Sequence, residues 1–187
     1  MSPAYSKWTV DNVSKLKYLH PNAREIFLEF ILRIAEEGIY VRIPDDGAMR
    51  TKEQQRKLYN KVPSVTSVLC PYSYHCHGFA IDVIPMGRIG PIWYKALFGR
   101  ADLYDRIASV ARRLNISWGF AEWGQDKGHF HYKAGKNLQQ VSKGNYPVNP
   151  AISENGYHTE TKRVIDRLKN YGTITIDSFP YLYNGNS

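Results

Sequence analysis

The stretch Ser73-Tyr74-His75-Cys76-His77-Gly78-Phe79-Ala80-Ile81-Asp82 constrains this chain more than any other, because it gathers imidazoles and a carboxylate around a glycine at the entrance to an apolar run. From Phe79 to Ile84 every residue except Asp82 is apolar, and Pro85 follows, a pattern that predicts a short buried strand closed by the proline. A carboxylate inside such a strand needs a partner, since burying an unpaired charge is costly. Asp82 must therefore be salt-bridged, protonated or coordinated to a cation. His75 is the nearest candidate co-ligand. Continuous strand would put the two residues on opposite faces, but Gly78 can take backbone angles that other residues cannot, and lets the preceding chain fold back so that both face one ion.

A complementary stretch lies further on, in Trp118-Gly119-Phe120-Ala121-Glu122-Trp123-Gly124-Gln125-Asp126-Lys127-Gly128-His129-Phe130-His131. Here too a carboxylate precedes a histidine, and the Asp126-x-x-His129 spacing on a tight turn places both on one side. His129 is read as a third ligand, which leaves one position open for water on a tetrahedral ion, with Asp126 beside that water as general base. Two histidines and one carboxylate with an open position form the pattern of catalytic zinc, whereas structural sites are closed and cysteine-rich. One alternative stays open. His131 shares a strand face with His129, so it could serve instead of, or beside, His75.

The pattern Ser-x-His-x-x-Gly-x-Ala-x-Asp, followed by a tryptophan-rich segment ending Asp-x-x-His-Phe, resembles the zinc D-alanyl-D-alanine carboxypeptidases and L-alanyl-D-glutamate endopeptidases of bacterial and phage cell-wall metabolism. Both halves occur in order with the family's internal spacings. Upstream, Gly47-Ala48-Met49-Arg50-Thr51-Lys52-Glu53-Gln54-Gln55 resembles the segment that carries the family's substrate-facing arginine, so the likeness extends over roughly residues 14 to 133. It implies one Zn2+ held by His75, Asp82 and His129, with Asp126 as base and Arg50 holding substrate or the developing oxyanion. Ser73, Glu122 and Trp123 are expected to bind substrate or to support the ligands. The chain departs from the family where Phe120-Ala121-Glu122-Trp123 stands in place of a frequent Gly-Gly-Asp-Trp. The implied activity is hydrolysis of a peptidoglycan stem-peptide amide bond, with the L-Ala–D-Glu endopeptidase favoured over the D-Ala–D-Ala carboxypeptidase and a phage-type endolysin as the setting.

Two other classes compete. A non-haem iron oxygenase also uses two histidines and a carboxylate, but its usual His-x-Asp spacing is absent. A zinc-containing wall-binding module without turnover would have no use for Asp126.

A net charge of +8 draws the protein to polyanions such as nucleic acid, anionic membrane or a bacterial wall. Lysines and arginines are scattered and form no basic run, so no nucleic-acid partner is expected. Aromatic residues make up 13% of the chain, which suits either an aromatic core or a groove contacting its ligand by flat faces. Two cysteines are too few for a disulfide scaffold. Cys76 is read as a small buried residue, with a Cys70–Cys76 bridge as an unsupported alternative. The N-terminal residues lack an apolar signal region and no stretch is long and apolar enough to span a bilayer. The expectation is a monomer, cytoplasmic in the producing cell, that acts on the wall after release.

Helical spacing predicts a helix over Asn22–Glu37, a strand over 39–43, a helix over 52–60 begun by a Thr51/Gln54 capping box, and a helix over 101–114. Strands are expected at 116–119 and 129–132, with a loop at 61–74 leading into the site. The sum is an α+β fold, a small antiparallel sheet flanked by helices with a single zinc site in a cleft. The catalytic domain is set at 1–146. Residues 147–187, with a helix expected at 159–170 and a strand at 173–176, form a C-terminal extension expected to pack on it.

Overall fold

The computed structural model describes residues 11–89, except Val13, and 93–146; the expected C-terminal extension lies outside the described residues. Helix α1 (Pro21–Glu36) forms where apolar residues recur at helical spacing. The His20 side chain caps it by accepting from the Asn22 N–H at 3.2 Å, and Pro21 enters its first turn. Its buried face, including Phe27, Phe30, Ile31 and Ile34, supplies one wall of the core.

Strands β1 (Tyr40–Arg42), β2 (Ala80–Asp82), β3 (Ile84–Ile89), β4 (Trp93–Ala96), β5 (Ile116–Trp118) and β6 (His129–Tyr132) form two antiparallel sheets, in the orders β1-β3-β4 and β2-β6-β5. The fold is α+β as expected, with two three-stranded sheets in place of a single one. The apolar run that reads as one strand is divided at buried Val83. Its N–H donates to Gly128 O at 2.9 Å, and the chain passes there from one sheet to the other. Pro85 therefore does not close a strand. It sits at the second position of β3 opposite Val41, and its carbonyl accepts from Leu97 N at 2.8 Å.

Helix α2 (Lys52–Tyr59) begins with the expected capping box, the Thr51 side chain accepting from Gln54 N and the Gln54 side chain accepting from Thr51 N. Helix α3 (Ala101–Arg113) buries Ile107, Val110 and Ala111. Two short helices, α4 (Gly119–Trp123) and α5 (Leu138–Ser142), are additions to the sequence reading, as is β4. Phe30 of α1 meets Phe130 of β6 with ring centroids 5.1 Å apart, so the helix packs directly behind the strand that carries His129.

Candidate metal centre

Pairing of β2 with β6 sets Asp82 directly opposite His129. Opposed residues of an antiparallel pair project to the same face, so the strand register alone brings this carboxylate and this imidazole together. His75 arrives from a different element, the 3-10 turn Tyr74–His77. Gly78 ends that turn with φ +70°, and a Cβ there would lie 2.5 Å from the His20 backbone nitrogen, so both the reversal and the close approach require glycine. The fold-back expected from the sequence is thereby formed.

Three candidate ligand atoms converge. His75 Nε2 lies 3.2 Å from Asp82 Oδ1 and 3.1 Å from His129 Nδ1, and His129 Nδ1 lies 3.1 Å from Asp82 Oδ1. Ligands held at about 2.0–2.1 Å around a tetrahedral zinc stand roughly 3.3 Å from one another, so the set fits the ion with only small adjustment. Among the described residues, His75, Asp82 and His129 are the group that could hold a metal. Buried His131 is not in it. It lies on the same strand face but stacks between Tyr74, at 4.4 Å and 17°, and Trp123, at 5.3 Å and 3°.

The tautomer of His75 is fixed by its surroundings. Its Nδ1 lies 2.7 Å from the Ala48 carbonyl, which can only accept, so Nδ1 carries the proton and Nε2 offers its lone pair to the centre. Burial holds the pKa of His75 below its ordinary value against the opposing pull of Asp82, which favours the neutral ligand form. For Asp82, burial acts to raise the pKa, but charge and hydrogen bonding from His75 and His129 outweigh it and hold the carboxyl well below its usual range. His129 Nε2 is buried with no hydrogen-bond partner among the described residues.

Arg50 is buried at the same centre. Its guanidinium donates to Asp82 Oδ2 and to the Asp46 carbonyl, with Gln55 Oε1 at 3.5 Å. The Arg50 N–H donates to His75 O at 3.0 Å, and Asp82 N–H donates to Gly47 O, so the loop before α2 is tied to two of the three candidate ligands. Asp126 adopts φ +64° in the turn before β6. Partial desolvation raises its pKa first, and the neighbouring Asp82 charge raises it further, against the lowering effect of His129, His75 and Arg50. Proton exchange nearer neutral pH than for a free aspartate follows from that placement.

Glu122 and Trp123 lie on α4, the single helical turn made by the residues that depart from the family pattern. Glu122 bonds Lys133 and lies 3.3 Å from His131 Nε2, and it is not part of the group that could hold a metal. Burial pushes the pKa of His131 down to about 3, aided by His129 and opposed by Glu122. Trp123 covers His129 with centroids 5.1 Å apart. Gly119 permits that contact, since a Cβ there would lie 2.9 Å from the Trp123 ring and 3.1 Å from His129 Cβ. Ser73 is buried at the start of the 3-10 turn, where its carbonyl accepts from Cys76 N at 3.1 Å.

The reading of Cys76 as a lone buried residue is corrected: Cys70 and Cys76 form a disulfide with Cα atoms 5.9 Å apart. The 3-10 turn curls the chain back far enough to bring the two Cβ atoms within bridging reach. The bridge closes the loop that carries His75. Ala48, Tyr74 and Gln55 also support the site without having been singled out in the sequence. The aromatic beside a ligand histidine was a usable signal for Tyr74, while a backbone carbonyl such as that of Ala48 leaves none.

Residues 70–132 match a protein-family model described as D-alanyl-D-alanine carboxypeptidase. The matched span includes His75, Asp82, Asp126 and His129, and the resemblance carried by the two motifs is shown by it. No curated protein matches this chain. Among solved structures the chain is similar to the Serratia marcescens L-Ala D-Glu endopeptidase ChiX, at 23% identity over 72% of this chain and 92% of that one, with a TM-score of 0.45.

Proposed function

We propose that the protein is a zinc-dependent peptidase that hydrolyses a stem-peptide amide bond of bacterial peptidoglycan, the L-Ala–D-Glu bond first, in the manner of a phage-type endolysin. The observation that carries the reading is the convergence of His75 Nε2, Asp82 Oδ1 and His129 Nδ1 to within 3.2 Å of one another. Zinc at this position would supply Lewis acidity and a water acidified toward neutrality. Asp126 takes the proton of the attacking water and returns it to the leaving amine, a role that its raised pKa suits. Arg50 orients Asp82 through its guanidinium and lies close enough to the centre to meet the developing oxyanion. Trp123, half exposed beside His129, offers the incoming peptide a flat apolar wall.

The description of the matching family favours a second specificity, D-Ala–D-Ala carboxypeptidase action, at the same centre. Mass spectrometry of peptidoglycan digested by the zinc-loaded protein separates the two. New N-terminal D-Glu supports the endopeptidase and free D-Ala the carboxypeptidase, while undigested wall refutes the peptidase reading.

A further inference from the structure

The loop between α2 and the 3-10 turn exposes a cluster of apolar side chains. Among the described residues, seven of the twelve exposed large hydrophobic side chains lie between Met49 and Tyr72. Val62 is 96% exposed, Tyr72 58% and Val65 56%, with Val68, Leu69 and Tyr59 exposed beside them. Ser64 and Ser67 are exposed among them, and the loop's backbone is tied down from α2 and by its own hydroxyls. Buried Gln55 donates through Nε2 to Thr66 Oγ1 at 3.1 Å and Val68 O at 2.8 Å. Ser64 Oγ lies within hydrogen-bond distance of Tyr59 O and Thr66 O, at 3.0 and 2.6 Å, and Val65 N–H donates to Leu58 O at 3.2 Å. At its far end the loop is held by the Cys70–Cys76 disulfide and by His77 Nε2–H donating to Pro71 O at 2.8 Å. Aliphatic side chains are therefore presented to solvent on a hydrogen-bonded platform, at a density unusual for a surface loop.

Charge along residues 51–72 is predominantly positive. Lys52, Arg56, Lys57 and Lys61 are exposed, and Glu53 is the one acid between residues 51 and 72, paired with Lys57 at 2.8 Å. We propose that this loop docks the protein on an anionic phospholipid bilayer. Val62, Val65, Val68 and Leu69 enter the boundary between headgroups and acyl chains, and Lys52, Arg56 and Lys61 meet the lipid phosphates. The occupant follows from the chemistry of the patch. A wall polymer of sugars and short peptides offers aliphatic side chains no apolar phase, and a single-stranded nucleic acid, which could stack on Tyr59 or Tyr72, leaves Val62, Val65, Val68 and Leu69 without one as well. A bilayer interface offers both the apolar phase and the negative charge. The inference does not depend on the proposed peptidase activity.

The test is co-sedimentation of the full chain with phosphatidylcholine vesicles, with and without phosphatidylglycerol, and in parallel with isolated peptidoglycan sacculi. Each lysine or arginine near an anionic surface is worth about fivefold in partition, so binding should be at least about tenfold stronger with phosphatidylglycerol present. Val62→Asp combined with Leu69→Asp should reduce it to the level of the neutral vesicles, with the melting temperature unchanged. Arg56→Gln with Lys61→Gln should also weaken it by about tenfold or more. Equal sedimentation with both vesicle types, or undiminished binding by the aspartate variant, overturns the proposal. So does a variant that loses sacculus binding while keeping its vesicle binding, which would make the wall polymer the occupant.

Discussion

Asp82 and His129 stand directly opposite one another across the β2–β6 pair, with Asp82 Oδ1 3.1 Å from His129 Nδ1. Register alone makes this contact, and Arg50 and His75 complete the enclosure of the same carboxylate. Asp82→Asn removes the charge that balances this cluster. Zinc affinity should fall at least about tenfold, and activity should recover in part with excess zinc. Equilibrium dialysis against a zinc chelator measures the first effect, and unchanged affinity would remove Asp82 from the ligand set.

Arg50→Lys keeps the charge but loses the fork that reaches Asp82 and the Asp46 carbonyl together. Turnover should drop on the order of tenfold or more, with zinc content retained. Steady-state kinetics beside elemental analysis would show both. Normal kinetics would restrict Arg50 to a supporting role in the fold.

Asp126 is expected to fail differently from Asp82. Asp126→Asn should retain zinc and lose on the order of a hundred- to ten-thousand-fold in rate. Its stability effect has the opposite sign to a loss of function. A carboxyl whose folded pKa is raised binds more protons folded than unfolded, so its cost is absent in acid and grows as pH climbs from the ordinary value toward and through the raised one. In metal-free protein at neutral pH the variant should therefore melt higher than wild type, and at acid pH the gap should close. A lower melting temperature at neutral pH would show that the carboxylate stabilises the fold.

Replacing both Cys70 and Cys76 by serine frees the loop that presents His75. A bridge closing so short a loop contributes about 2 kcal/mol in the chain-entropy account, so thermal stability should fall by that order. Zinc affinity should fall with it, because His75 is adjacent to Cys76 and shares its turn. Thermal melting with chelator titration checks both. Unaltered zinc binding would mean that the Ala48 carbonyl and Gly78 suffice to place His75.

The grouping of His75, Asp82 and His129 was legible in the sequence because each half of it is a compact motif and the resemblance joins the two halves. A glycine between His75 and Asp82 announces the reversal, and Asp126 and His129 share one turn. Helix α1 was legible through its apolar period, and the start of α2 through its capping box. The division of Phe79–Ile84 between two sheets was not, since periodicity cannot show that a buried strand changes partners at Val83. Pro85 reinforced that error, because proline at the start of a strand and proline ending one look alike in sequence. The Cys70–Cys76 bridge depends on the curl of the 3-10 turn, which spacing alone does not reveal. The Arg50–Asp82 pair joins residues thirty-two apart that only the packed fold brings together.

Metal removal tests the central claim most directly. Stem-peptide hydrolysis should be abolished in chelator-stripped protein and return with one equivalent of zinc per chain, and His75→Ala or His129→Ala protein should fail to recover under the same titration. Stripped protein that hydrolyses the peptide at the original rate would contradict a zinc centre at His75, Asp82 and His129.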